Sequence, residues 1–368
     1  MHRPLATASR PPRALLSRGL RLAALLALAA GAATAQPFGA WLSLAGNPTH
    51  GGVTIPHSIA LNPTGAFTLE AWVAISGSLA GEDCRSIAGK NFQQAWWVGQ
   101  CTGGGKRTLR SYLKGSGSLR QGGEIPNGVW THIAVVFNGT HRRHYINGEL
   151  AAEFPETPPL ATSTDAMRIG SDVSWQFTPQ GSIDEVRLWN VARTLAQIRA
   201  NLNVRITAAQ PGLVAVWALD GNANDIIGPR DGVLFGAGAG FLTFPVALNC
   251  TDSATGLCIE DERFLITSRW RTNPTPGTHT DGNGSVVGSS ANSGIFWFFS
   301  AANWEIMLKI LNGCGLNNRY WFFSAATTNV FYRMEVLDVR SGVQKIYFNY
   351  PGPPAPAVTD TSAFATCP

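Results

Sequence analysis

GAFTLEAWV at Gly65 to Val73, GVWTHIAVVFNGT at Gly128 to Thr140, HYINGEL at His144 to Leu150, MRIG at Met167 to Gly170 and GSIDEVRLWNVA at Gly181 to Ala192 follow one another along the chain. Each is a short alternating strand or a hairpin, the pattern of an antiparallel sandwich. In the first piece Phe67, Leu69, Ala71 and Val73 share one face and Thr68, Glu70 and Trp72 the other, so both faces meet something other than plain water. His132, Ala134 and Val136 oppose Ile133, Val135 and Phe137, a nearly continuous apolar strand suited to the interior of two packed sheets. Asn138-Gly139 and Asn147-Gly148 tolerate positive φ and predict tight turns, with the strand ending at Phe137 turning into one at His144 to Ile146. On that reading His141, Arg142, Arg143 and His144 form a solvated hairpin tip.

In this order the pieces resemble the laminin G-like jelly roll, the concanavalin A-like sandwich of many secreted binding modules, over residues 38–205. The resemblance implies an all-β domain of two antiparallel sheets, and a short helix after its last strand. Leu195 to Leu202, behind Thr194 as a cap, is the segment that can supply that helix. Residues 211–239 are similar to a segment found in bacterial laminin G-like proteins and read as part of an accessory hairpin over 206–245. The first domain is therefore expected at 36–245.

From Cys250 the pattern changes. WFFSAA occurs at Trp297–Ala302 and again at Trp321–Ala326, each time followed by an alternating strand, Trp304–Leu311 and Val330–Leu337. This predicts an internal repeat at hairpin scale in a smaller antiparallel sandwich or barrel over 250–368. That domain resembles an uncharacterised C-terminal β domain of secreted bacterial proteins, which brings no activity with it. Thr272–Ser293, rich in Gly, Ser, Thr, Asn and Pro, reads as a mobile loop within it.

The net charge of +5 over 368 residues at first suggests a polyanion partner. Five of the 28 basic residues, Arg3, Arg10, Arg13, Arg18 and Arg21, lie in residues 1–35, which hold no acid; the rest of the chain has 23 basic against 23 acidic residues. Nucleic acid is accordingly not an expected partner. Residues 1–35 read as a secretory signal: an Arg-rich start, an apolar run Leu22–Ala30 far short of the ~20 residues of a membrane span, and Ala33-Thr34-Ala35 ahead of Gln36. No later segment has the length of a transmembrane helix. Six cysteines fit an exported, oxidised chain. No two of them form a CxxC pair, so zinc is not expected. Their pairing is formally open; the distance of the first two from the others favours Cys84–Cys101, with Cys250–Cys258 as a short clip and Cys314–Cys367 fastening the C-terminus.

Chemistry is sparse. Concanavalin-like glycosidases need two carboxylates facing one cleft about 5 Å apart. Asp184 and Glu185 are adjacent, so on a regular strand they point to opposite faces. His132, His141 and His144 stand near one hairpin, without a GxSxG elbow. The resemblance also implies a Ca²⁺ ion, for which Asp184 is the carried-over ligand and Asn47, Asp220, Asn222, Asn224 and Asp225 are the oxygen donors on loops that could approach it. Trp72, Trp130 and Trp189 lie in the strongest strands and read as packing residues. Of the adjacent pair Trp96 and Trp97 one must face away from the core. That pair and Trp175 are the candidate platforms for a sugar ring. The function expected is a secreted, non-catalytic protein that binds a carbohydrate or an extracellular protein through jelly-roll loops. The alternatives are a structural or adhesive cell-surface scaffold and, further off, a divergent glycoside hydrolase.

Overall fold

The computed structural model describes residues 39–92, 94–114, 118–156, 160–173, 177–272, 280–352 and 354–368. The expected signal segment 1–35 and Trp175 lie outside the described residues. The rest is nearly all β, in four antiparallel sheets.

The first sheet runs Glu149–Pro155, His141–Ile146, Thr131–Phe137, Phe67–Ile75, Gln180–Trp189, Trp41–Ala45 and Ala239–Leu242, with Leu213–Trp217 also paired to Gln180–Trp189. The second runs Val233–Phe235, Gly52–Ile55, Met167–Ile169, Cys84–Gly89, Trp96–Gly103, Lys106–Leu113 and Ser118–Glu124. Phe67, Leu69, Ala71, Val73, Ile133, Val135 and Ile183 from the first sheet meet Val53, Ile55, Ile87, Trp96, Val98 and Leu109 from the second in one apolar core. Burying these alternate side chains is the main driving force for closing the two sheets on each other.

Residues 206–245 do not form the expected accessory hairpin. Leu213–Trp217 and Ala239–Leu242 join the first sheet, whereas Val233–Phe235 joins the second. Trp217 and Leu219 are core residues, so the segment completes the sandwich. The helix Leu195–Asn201 forms as expected, with Thr194 and Gln197 in a reciprocal capping box.

The third sheet holds Gly256–Ile259, Phe264–Thr272, Phe331–Asp338 and Val343–Asn349, with Thr280–Asn283 pairing along Phe264–Thr272. The fourth holds Ser285–Ser289, Ser293–Trp297, Ile306–Asn312, Tyr320–Ala326 and Val358–Phe364. They close over Phe264, Ile266, Phe296, Leu308, Phe322, Met334 and Phe364. The WFFSAA copies are not equivalent: the first ends a strand and enters a turn, the second is a strand throughout. What the repeat conserves is one inward ring per copy, Phe298 and Phe322. Thr272–Ser293 is no single loop either, since Thr280–Asn283 and Ser285–Ser289 are strands; positions 273–279 lie outside the described residues. The disulfides are Cys84–Cys101, Cys250–Cys258 and Cys314–Cys367, as favoured from spacing.

The two sandwiches share a buried seam. Trp41, Trp72, Trp130 and Leu202 on the outer side of the first sheet pack with Ile346, Phe348 and Phe244. Trp72 stacks on Phe348 with ring centroids 6.3 Å apart. Arg333 donates to the Trp130 carbonyl, Asn203 to the Ile346 carbonyl at 2.5 Å, and the Arg199 guanidinium lies 3.7 Å over the Tyr350 ring. Trp72 and Trp130 are thus packing residues, of the seam and not of the jelly-roll interior.

Candidate functional site

Neither tryptophan of the expected platform is available. Trp96 is 2% exposed and sits in the sandwich core, with Nε1 donating to the Leu61 carbonyl at 3.0 Å. Trp97 does point the other way, but Phe92 covers it edge-on at 5.2 Å, its Nε1 donates to Ser86 Oγ at 2.8 Å, and it is 4% exposed. The loop that carries Phe92 closes over the second sheet and removes the platform.

His141–His144 is not a solvated tip but the start of a strand, with Arg142 and His144 fully buried. Arg142 pairs with Glu156, and His144 Nε2 lies 2.7 Å from Ser111 Oγ while Nδ1 faces the Gly122 carbonyl at 3.0 Å. Burial pushes the His144 imidazole down to about 4, Gly122 opposing and Arg142 assisting. A serine and a neutral histidine therefore meet, but both are sealed from solvent and Arg142 also donates to that Ser111 hydroxyl at 3.2 Å.

Asp184 and Glu185 break the regular alternation. A bulge lies between Asp184 and Arg187 in the pairing with Phe67–Ile75, and Glu185 has φ +49°. Ile183 and Val186 enter the core, which leaves both carboxylates on the outer side; the expectation of opposite faces fails because the extra residue resets the period. Both are buried. Glu185 is held by Arg187 at 2.9 Å and Arg205 at 3.4 Å. Burial and then the Glu185 charge push the Asp184 carboxyl well above the usual range, and neither of its oxygens has a well-formed hydrogen bond among the described residues. Beside them Glu70 touches Arg193 at 2.6 Å and His132 at 3.4 Å. Burial works against its ionisation, but these partners overcome it and hold the carboxyl down at about 2.

The oxygens expected to share a calcium ion are dispersed. Asp220 pairs with Arg205 and accepts from the Ala40 amide. Asn222 accepts from the Asn224 amide, and Asp225 from Val216, Ile227 and Arg230, so this stretch is a self-satisfied turn. Asn47 lines a polar hollow at the sandwich rim with Gln100, Arg107 and Gln180. There the Ser76 carbonyl, Gln100 Oε1 and Asn127 Oδ1 converge, at 2.9–3.0 Å, on the Arg107 guanidinium, which already supplies the positive charge. Among the described residues no three His, Cys, Asp or Glu side chains are grouped to hold a metal. The set does not fit Ca²⁺.

What the structure offers instead is a cleft of about 290 Å³ at the junction of the sandwiches. Pro126, Val129 and Asn147, from two loops at one end of the jelly roll, form one wall with Thr131 at the start of its strand. Strands of the third sheet form the other, with Arg269, Arg271, Asp281, Asn283, Phe331 and Arg333. Arg271 pairs with Asp281 at 2.8 Å and Arg333 with Glu335 at 2.9 Å. The sequence held one signal for it, outward arginines at alternate positions in Arg269-Trp270-Arg271, but which jelly-roll loops they face depends on the seam.

Part of the fold matches a known family. Residues 47–199 match the family model of the concanavalin A-like lectin/glucanases superfamily in its laminin G-like form. The first sandwich, with its two seven- or eight-stranded sheets, is that laminin G-like jelly roll. No curated protein matches the chain. Among solved structures, a Bacteroides ovatus protein proposed to bind carbohydrate is 20% identical, with a TM-score of 0.42 over 57% of this chain and 62% of its own. Domain 4 of an extracellular arabinanase from Geobacillus stearothermophilus is 18% identical, with a TM-score of 0.32 over 44% of this chain and 86% of its own. A Ruminococcus gnavus sialidase carbohydrate-binding module is 12% identical, with a TM-score of 0.34 over 42% of this chain and 95% of its own. At such scores they carry no argument about ligand or site.

Proposed function

We propose that the chain is an exported, non-catalytic carbohydrate-binding protein whose site is the cleft between its laminin G-like and C-terminal sandwiches. The observation that supports this reading is the cleft itself: a preformed concavity near the size of the smallest ligand sites, with guanidinium and amide donors on one wall and jelly-roll loops on the other. Sugars present rings of hydroxyls that such donors bind without chemistry. The serine–histidine and carboxylate pairs found elsewhere are buried and held by arginines, so they do not support the hydrolase alternative. Export is supported by three disulfides, which persist in oxidising compartments.

The test is a glycan array probed with the full chain, followed by the plugging variant Asn283→Trp. Asn283 is exposed on an edge strand, so the substitution fills the cleft without entering a core. Retention of one or more oligosaccharides that the variant loses is the expected result; no retention, or retention untouched by the plug, would contradict the reading.

The scaffold alternative has one observation of its own. Trp304 and Met307, at 56% and 60% exposed, stand just before and on the fourth-sheet strand Ile306–Asn312. Exposed apolar side chains of this size favour self-association. Sedimentation of the full chain tests it, with a concentration-dependent dimer abolished by Met307→Lys as the supporting outcome.

A further inference from the structure

The cleft wall contributed by the third sheet carries charge that its own acids do not cancel. Arg269 and Arg333 stand directly opposite each other on neighbouring antiparallel strands, an arrangement that costs stability because like charges meet. Two residues further along the strand of Arg269, Arg271 is opposite Phe331 on one side and Asp281 on the other. Asp281 answers Arg271 and Glu335 answers Arg333, but exposed Arg269 has no carboxylate partner among the described residues.

Arg333 is also incompletely paired. It is 3% exposed, its Nη1 is engaged with the Trp130 carbonyl, and its Nε has no hydrogen-bond acceptor among the described residues. A buried guanidinium N–H left unpaired is costly, and it lies in a wall that faces a cavity. Burial lowers the pKa of this group, Glu335 opposes the shift, and the charge of Arg269 adds to it. An anion placed between the two arginines would relieve the repulsion and meet the planar, forked donors that carboxylates and sulfates fit.

Resting on the reading of this cleft as a carbohydrate site, we propose that its ligand is an acidic sugar residue, with its carboxylate or sulfate ester between Arg269 and Arg333. Asn147 and Asn283 flank that position and offer amides to the ring hydroxyls. Arg269 is the charge that distinguishes acidic from neutral sugars, whereas Arg333 is held by the seam and sets where the anion sits.

The experiment is titration calorimetry of the full chain with galacturonate, glucuronate and mannuronate oligosaccharides, their carboxyl-reduced counterparts and their sulfated, carboxyl-reduced forms. Arg269→Gln and Arg269→Lys are compared, since an exposed strand position tolerates both. Acidic forms should bind about tenfold or more tightly than neutral ones, weaken with salt, lose about tenfold in Arg269→Gln and recover part of it in Arg269→Lys. The carboxylate and sulfate arms identify which group is taken. Equal affinity for acidic and reduced sugars, or an Arg269→Gln variant that binds acids unchanged, overturns the inference while leaving carbohydrate binding in the cleft intact. Failure of every sugar, neutral ones included, overturns the functional reading beneath it and the inference with it.

Discussion

Removing the indole of Trp72 probes the seam that builds the cleft. Trp72 is wholly buried, donates from Nε1 to the Leu202 carbonyl at 2.8 Å, and stacks on Phe348 of the second sandwich at 24° between ring planes. Truncating a buried tryptophan costs about 3–5 kcal/mol. If the stacking couples the sandwiches, part of that cost is shared: an aromatic pair is worth about 0.5–1.5 kcal/mol beyond its area. Trp72→Ala combined with Phe348→Ala should therefore destabilise by less than the sum of the two single substitutions, by about that amount. The assay is urea unfolding followed by far-ultraviolet circular dichroism, with calorimetry of each variant. Additivity to within about 0.3–0.5 kcal/mol would refute the reasoning. So would two separate transitions in the unaltered chain, each moved by only one of the substitutions.

Arg193→Met removes the ion-pair partner of buried Glu70, leaving His132 and the nearby Arg187 charge, and should cost about 3–5 kcal/mol in the same unfolding assay; a loss below about 1 kcal/mol would show that the pair is not a buried one. Glu149 beside the seam is raised from 4.5 to about 7 by burial, against the pull of Arg271 and Arg199. The folded state then holds the proton more tightly, so this stabilisation is complete below pH 4.5 and is lost as pH rises through about 7. Glu149→Gln should flatten that decline in melting temperature, and an unchanged decline would assign it to another group. Loop-closure entropy makes Cys314–Cys367, which spans 53 positions, worth about 4 kcal/mol and Cys250–Cys258, which spans 8, about 2.5 kcal/mol. Paired Cys→Ala variants compared by thermal denaturation should rank in that order, and the reverse order would reject the entropic account.

Architecture was legible in the sequence wherever the side-chain period is unbroken. Phe67–Val73 and Thr131–Phe137 place alternate residues in the core as their pattern requires, and the two Asn-Gly pairs mark the turns. The pattern failed where one residue changes the period. The bulge at Glu185 puts two carboxylates on one side, and no local propensity announces it. One ring of the Trp96–Trp97 pair does turn away from the core, that of Trp97, but Phe92 covers it, a contact that strand alternation does not encode. The cleft was illegible for a similar reason. Its walls come from Asn147 and from Arg269 and Arg333, far apart in the chain, and they meet only because Trp41, Trp72 and Trp130 dock on the third sheet. Polar partners hid the calcium question in the same way, since Arg107 fills from a neighbouring strand the place where oxygens converge.

The most direct measurement is a crystal structure of the full chain with the tightest-binding acidic oligosaccharide from the titration panel. Density for the sugar is expected between Val129 and Arg269, with the anionic group within hydrogen-bond distance of Arg269 and Arg333. Sugar density elsewhere, over the rim hollow at Asn47 or on the fourth sheet, with the cleft holding none, would contradict it.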